Sequence, residues 1–203
     1  MDDNKLSNLT LLVKDNIRIL TLPAKKFTHP VGIILVGPPF SGKTTLVEHL
    51  KAQLPLAVLS EKNIGSFLAP RATFFKRGDE EILILASKTM GELIGMGYSC
   101  VYDASVKKHA DRQMLGKIIA DAGGTMVLVE LIIPEDELYS RLQKVNAQIV
   151  RGDRRGFILN KDLFQYEINS IEHPRTEEKA IIYKVLTDTP ENLVDKMRHL
   201  FSS

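Results

Sequence analysis

Gly37-Pro38-Pro39-Phe40-Ser41-Gly42-Lys43-Thr44 is the stretch on which the fold turns. Its glycines, lysine and threonine stand at the spacing of a phosphate-binding loop, Gly-x-x-x-x-Gly-Lys-Thr. Each fixed position has a physical reason. Gly37 and Gly42 let the backbone curl until successive amide hydrogens point inward at an anion. Lys43 can reach between two phosphates, and Thr44 offers a hydroxyl to a divalent cation. A helix starting here also aims its unbonded N–H groups at the same charge. The loop from Gly37 to Thr44, extended to Thr45, is therefore the predicted nucleotide-binding segment.

Outward from the loop, the chain alternates strand and helix. Val31 to Val36 is a nearly unbroken β-branched run of the kind buried inside a parallel sheet. Leu46, Val47, Leu50 and Leu54 recur at helical spacing, and Pro55 closes that helix. Further strands are expected at 56–59, 98–102, 125–133 and 180–186, with helices at 80–94, 106–122, after Pro134 and at 190–200. The pattern predicts an α/β three-layer sandwich with a mainly parallel five-stranded sheet. Residues 30–203 form this main domain. Residues 1–29 carry only short apolar pieces and read as a two-stranded or irregular addition packed on the core. Residues 60–79 have no strong period and read as an insertion on the substrate side. Residues 143–169 are densely polar and read as a mobile lid.

The 203 residues match one domain plus a modest appendage, at about 150 residues per domain. A 44% hydrophobic composition excludes a disordered or collagen-like chain, and a net charge of +2 demands no nucleic-acid partner. Cys100 is the single cysteine, which excludes an internal disulfide and suggests a reducing compartment. With no basic-apolar leader and no apolar run of about 18 residues, a soluble, cytoplasmic chain without a membrane partner is expected.

Asp103 follows the third strand, where the carboxyl edge of the sheet should lie beside the phosphate loop. A carboxylate there can hold Mg2+ through water or orient an acceptor hydroxyl. Glu130 is a rival acid, but it lies inside an apolar run rather than after one. Arg151, Arg154 and Arg155 offer guanidinium forks for a phosphoryl group in flight. Arg112, on the helix after Asp103, can face the nucleotide or solvent, and Arg141 is a weaker candidate of the same kind. The five histidines lack the spacing of a zinc site.

With these motifs in this order, the chain from Val31 to Leu200 resembles the small phosphate-loop kinases that include polynucleotide kinases, gluconate-type kinases and zeta-type toxins. The likeness rests on Gly37 to Thr44, on Val101-Tyr102-Asp103-Ala104-Ser105, on the strand-proline-acid-helix passage at Val127 to Arg141, and on the arginine-bearing lid. The resemblance implies transfer of the γ-phosphoryl of Mg-ATP to a hydroxyl, with Lys43 and Thr44 in the nucleotide site; Thr44 and, from its place at the strand end, Asp103 are the expected metal-binding residues. It implies that the arginines of the lid close over the phosphates. The absence of a guanine-reading Asn-Lys-x-Asp favours ATP over GTP.

Such kinases place an aspartate after the second strand to align the acceptor. This chain has Ser60-Glu61-Lys62-Asn63, where Lys62 takes the matching place and Glu61 is the substitute acid one residue away. Three readings follow. The acceptor is a hydroxyl of a small metabolite, sugar or nucleoside; or it is a nucleic-acid end, with Lys25, Lys26, Arg71, Lys76, Arg77 and stacking Phe74 and Phe75 as contacts; or the chain binds nucleotide as a non-catalytic switch.

Overall fold

In a computed structural model, which describes residues 3–68, 79–154 and 158–201, the chain forms one parallel sheet with helices on both faces. In chain order the elements are α1 (Asp3–Arg18), β1 (Val31–Val36), α2 (Lys43–Gln53), β2 (Ala57–Ser60), α3 (Glu61–Leu68), α4 (Asp79–Gly95), β3 (Cys100–Ser105), α5 (His109–Asp121), β4 (Thr125–Ile132), α6 (Glu135–Val150), α7 (Lys161–Asn169), β5 (Ile181–Lys184) and α8 (Pro190–Met197). The strands lie in the order β2-β3-β1-β4-β5, and every pairing is parallel. The three-layer α/β architecture expected from the alternation is the one observed.

The strands sort their side chains by parity. Val31, Ile33 and Leu35 of β1 pack with α2 and α8 on one face, while Ile34 and Val36 pack with α1, α3, α4 and α5 on the other. Every residue of β1 is buried, which accounts for its lack of polar alternation. Gly124 closes α5 against β1, since a Cβ there would lie 2.8 Å from the Pro30 carbonyl oxygen. Cys100 is fully buried, its thiol pushed up to about 12 by burial, so it fills the core.

The structure corrects the sequence reading at the amino terminus and adds helices to two further segments. The amino-terminal segment is no strand pair but the helix α1, whose Leu9, Leu12 and Val13 are buried in the main core on the α4 side. Those residues, with Asn16, recur at helical spacing, and the apparent strand pieces are turns of one helix. The stretch after β2 begins as a helix, with Ile64, Phe67 and Leu68 of α3 inward; residues 69–78, with Arg71, Phe74, Phe75, Lys76 and Arg77, lie outside the described residues. The polar 143–169 stretch contains the end of α6 and all of α7. Leu138, Leu142, Phe164 and Ile133 form a small core there, against which Phe40 and Tyr139 pack.

Candidate nucleotide site

The carboxyl end of β1 delivers the chain into the phosphate loop. Gly37 is needed for close approach: a Cβ there would meet Ser41 Oγ at 3.0 Å and Leu131 Cβ at 3.1 Å. Gly42 has φ 96°, a left-handed conformation that costs glycine little. Phe40 takes φ 62° without being glycine, and its ring lies 5.8 Å from that of Phe164 on α7, centroid to centroid. This contact anchors the strained loop residue to the α6–α7 pair.

Electrostatically, the loop end is prepared for an anion. Gly42 caps α2 with no side-chain hydrogen bond, and no acid stands in the first turn of that helix. Its first N–H groups and its positive dipole end are therefore available to an anion. Ser41 is fully buried, and its Oγ has no hydrogen-bond partner among the described residues. A buried unpaired hydroxyl is unfavourable, and an anionic oxygen in the loop would satisfy it. Lys43 Nζ donates to the carbonyl oxygens of Gly37 at 2.9 Å and Pro38 at 2.8 Å. Burial lowers its pKa from 10.5 to about 8, against the pull of the Asp103 and Glu61 carboxylates.

Thr44 Oγ1 donates to Asp103 Oδ1 at 3.0 Å, so the two residues expected to serve a divalent cation are hydrogen-bonded to each other. A slip in the sheet allows this. Ile34 pairs with Tyr102, yet the next residue, Leu35, pairs with Ser105, leaving Asp103 and Ala104 as extra residues on the β3 side. Such an irregularity re-aims side chains at a strand end. Asp103 thus pairs with Ser60 of β2, while Ser105 Oγ accepts from the Gly37 amide at 3.2 Å. Burial raises the Asp103 pKa, and the Thr44 hydrogen bond and Lys43 charge oppose that shift. The donor set, a hydroxyl beside a carboxylate under a lysine and an uncapped helix, suits Mg2+ with a triphosphate.

A cavity of about 450 Å3 opens over the loop, lined by Phe40, Gly42, Lys43, Thr44 and Thr45 on one side and by Arg141, Lys144, Gln148 and Arg154 on the other. Arg141, Lys144, Val145 and Gln148 are one face of α6, at i, i+3, i+4 and i+7. That spacing was readable in the sequence, and Lys144 and Gln148 were missed for want of it. Arg141 is held toward the loop by Glu137 at 2.8 Å and by the Phe40 carbonyl at 3.2 Å.

The other arginines separate. Arg154 lines the cavity; Arg151 is exposed and bonds Asp153 at 2.8 Å; Arg155 lies outside the described residues. Arg112 is corrected from a nucleotide contact to a structural ion. Its side chain is fully buried, and it donates to both carboxylate oxygens of Glu178 at 2.7 and 2.9 Å. It also donates to the carbonyl oxygens of Val106, Lys107 and Glu172, so none of its faces reaches the loop cavity. Glu61 begins α3 within electrostatic reach of Lys43, and neighbouring Lys62 is exposed. Glu130, in register with Val36, is buried and pairs with His173. Lys25 and Lys26 lie at the other end of the sheet, where Phe27 N bonds Gly97 O just before β3. They stack on Phe27 and Tyr98, away from the loop. Among the described residues no His, Cys, Asp and Glu cluster could hold a metal, and no helix is long and apolar enough to cross a membrane.

Comparison with known proteins agrees with this fold. An unliganded sugar kinase from Janibacter sp. HTCC2649 is similar at 18% identity and a TM-score of 0.58, covering 85% of this chain and 94% of its own. Kti12 from Chaetomium thermophilum, solved in complex with ADP-AlF3, is similar at 15% identity and a TM-score of 0.63, covering 86% and 100%. The APS kinase of Mycobacterium tuberculosis, solved with AMPPNP and APS, is similar at 15% identity and a TM-score of 0.53, covering 86% and 99%. These likenesses establish the fold of a small phosphate-loop kinase. No curated protein matches the chain. A family model described as an AAA domain matches residues 33–155, from the core of β1 through α6, and the chain belongs to that family, AAA_33.

Proposed function

We propose that the protein is a Mg-ATP-dependent phosphotransferase acting on a hydroxyl of a small molecule. The observation that carries this reading is the Thr44–Asp103 hydrogen bond beside a half-buried Lys43, at the mouth of an uncapped helix. Bound there, Mg-ATP supplies the γ-phosphoryl group. The Gly37–Thr45 backbone and Ser41 hold phosphate oxygens, and Lys43 exchanges two carbonyl partners for phosphate charge. That exchange is favourable because a nearby anion offsets the burial penalty on the ammonium. Thr44 and Asp103 are the residues that would hold Mg2+, the carboxylate through water. Arg154, with Arg141 and Lys144 opposite the loop, neutralises charge spreading over the moving group, and Arg151 and Arg155 are secondary candidates. Arg154 lies at the end of α6, where a lid movement could bring it closer.

Glu61 and Asp103 are the two candidates to accept or direct the acceptor proton. Asp103 sits at the sheet edge with a raised pKa, and Glu61 stands next to its β2 partner, Ser60. The relatives' names include kinases of a sugar and of APS, which supports an alcohol acceptor. Lys62, at the place of the usual aspartate, favours the second reading, a nucleotide-binding factor without transfer.

The deciding experiment is transfer of labelled phosphate from Mg-ATP to a panel of sugars, nucleosides and 5′-hydroxyl oligonucleotides, with Lys43→Ala as control. A labelled product absent from the control supports the phosphotransferase. Tight Mg-ATP binding with no product from any acceptor would overturn it in favour of the nucleotide-binding factor.

A further inference from the structure

A second cavity, of about 300 Å3, lies beside the end of β2, between the carboxyl end of α1 and α3. Its described lining is Asn16, Ile19 and Leu20 from α1 and the residues after it, Leu59 and Ser60 from β2, and Asn63, Ile64, Ser66 and Phe67 from α3. Ser60 is the register partner of Asp103, which ties this cavity to the edge of the sheet that carries the nucleotide site. Among the described lining residues no side chain is charged. Asn16 is 1% exposed, and its Nδ2 donates to Thr89 Oγ1 of α4 at 3.2 Å. Its side chain also lines the cavity. An amide carbonyl facing a cavity can accept a hydrogen bond from a ligand hydroxyl there.

We propose that this cavity seats the body of the phosphoryl acceptor, with α1 as its wall and Asn16 as a specificity-determining residue; the proposal rests on the phosphotransferase reading above. The acceptor is then a neutral molecule rich in hydroxyls with one apolar face, as a free sugar, a cyclitol or a nucleoside has. A hydroxyl donates to Asn16 Oδ1, and the Asn63 and Ser66 side chains offer further polar contacts. Phe67, Ile64 and Leu20 cover the apolar face. An anionic acceptor would lose hydration against these described residues, none of which is charged, and this disfavours carboxylated or phosphorylated ligands. The volume stands at the small end for a ligand pocket and matches one ring system rather than a polymer. α1 precedes the residues matched by the family model, 33–155, so acceptor selection is assigned here to a part of the chain outside that match.

The test is binding to the full chain, by saturation-transfer nuclear magnetic resonance in the presence of Mg-AMPPNP. The neutral probes are D-ribose, myo-inositol, adenosine and uridine, and the anionic comparators are D-gluconate and AMP. The result expected is binding of at least one neutral probe, with the comparators at least tenfold weaker. The four neutral arms separate the sugar, cyclitol and nucleoside sources. Asn16→Leu removes the amide, and Ser66→Trp fills the cavity from an exposed position on α3. Both should weaken the bound probe at least tenfold while a fluorescent ATP analogue binds within twofold of its original affinity. Should Asn16→Leu fail to fold, Ser66→Trp carries the test. Binding by no neutral probe, equal binding of the anions, or indifference to Ser66→Trp would overturn the proposal. A neutral probe that is held, and lost in Ser66→Trp, but never phosphorylated by Mg-ATP upholds the cavity and overturns the phosphotransferase reading. Phosphorylation of a probe that is unaffected by Ser66→Trp does the reverse.

Discussion

Lys43, half-buried, and Arg112, fully buried, are both cations near the carboxyl end of the sheet, and they are held in opposite ways. Lys43 hydrogen-bonds two backbone carbonyls, and burial depresses its pKa to about 8. Arg112 is closed in by two carboxylate oxygens and three carbonyls, and in return it holds Glu178 down to about 2. A partly desolvated cation without a bonded counter-charge stores unfavourable free energy that an arriving anion can release. A buried cation with a bidentate carboxylate is already neutralised, and its work is to tie the 172–178 segment to α5. The first arrangement suits a ligand site and the second suits a scaffold.

The largest expected effect lies on the scaffold side. Glu178→Gln should leave Arg112 uncompensated and lower stability by about 3–5 kcal/mol, read from urea unfolding at pH 7. The sign with pH follows from the depressed value. The stabilisation by Glu178 is fully present above its ordinary pKa of 4.5 and is lost as pH falls toward 2, so the gap between parent and variant should narrow over that window. Nucleotide affinity of the folded variant should stay within twofold of the parent, and a tenfold loss would mean Arg112 serves the ligand after all.

Lys43→Ala should weaken Mg-ATP binding by about a hundredfold, some 2.7 kcal/mol, in a calorimetric titration. Unimpaired binding would sink the nucleotide site. On the stability side, the same lysine should act as a burden. Its folded pKa is lowered to about 8 from 10.5, so the unfolded chain binds more protons between those values and stability rises with pH across them. Lys43→Met should therefore be more stable than the parent at pH 7, by roughly 1–3 kcal/mol, with the advantage fading as pH approaches 10.5. A variant less stable than the parent at pH 7 would show that the two carbonyl bonds outweigh burial.

Smaller effects separate the arginines and the loop hydroxyl. Arg154→Ala should weaken Mg-ATP about tenfold while Arg151→Ala changes it less than twofold, since charge-assisted contacts in a cavity exceed solvated surface pairs. Equal losses would place both in the site. Ser41→Ala should weaken Mg-ATP by up to about tenfold and leave unfolding unchanged or slightly improved, because it deletes an unpaired buried hydroxyl. A clear loss of stability in that variant would mean that the hydroxyl is already satisfied in the free protein.

The phosphate loop was legible because its chemistry is local: two glycines, a lysine and a threonine act within eight consecutive residues. β1 was legible because total burial leaves an apolar run that helical spacing cannot explain, and β4 because its buried middle leaves a similar one. Asp103 could be singled out because it ends an apolar run, although its bond to Thr44 depends on the slip between Ile34 and Leu35. Arg112 was not legible, since its partner is Glu178, 66 residues away. α1 was misread because Leu9-Thr10-Leu11-Leu12-Val13 also satisfies a short strand, and only packing against α4 decides between the two. Lys144 and Gln148 were overlooked in a stretch read as polar lid, where the helical face becomes informative only once the loop lies beneath it.

By itself, then, the sequence determined the elements whose physics is closed within a few residues: the loop that curls, the strands that bury, the helix start after Pro134. The tertiary structure decided which charges meet. Coulomb and desolvation energies depend on distances and surroundings set by residues far apart in the chain, so Lys43 and Arg112 look alike in the sequence and differ wholly in the fold. The same holds for the α1–α3 cavity, because its walls, Asn16 to Leu20 and Leu59 to Phe67, come from separate segments brought together on one face of the sheet.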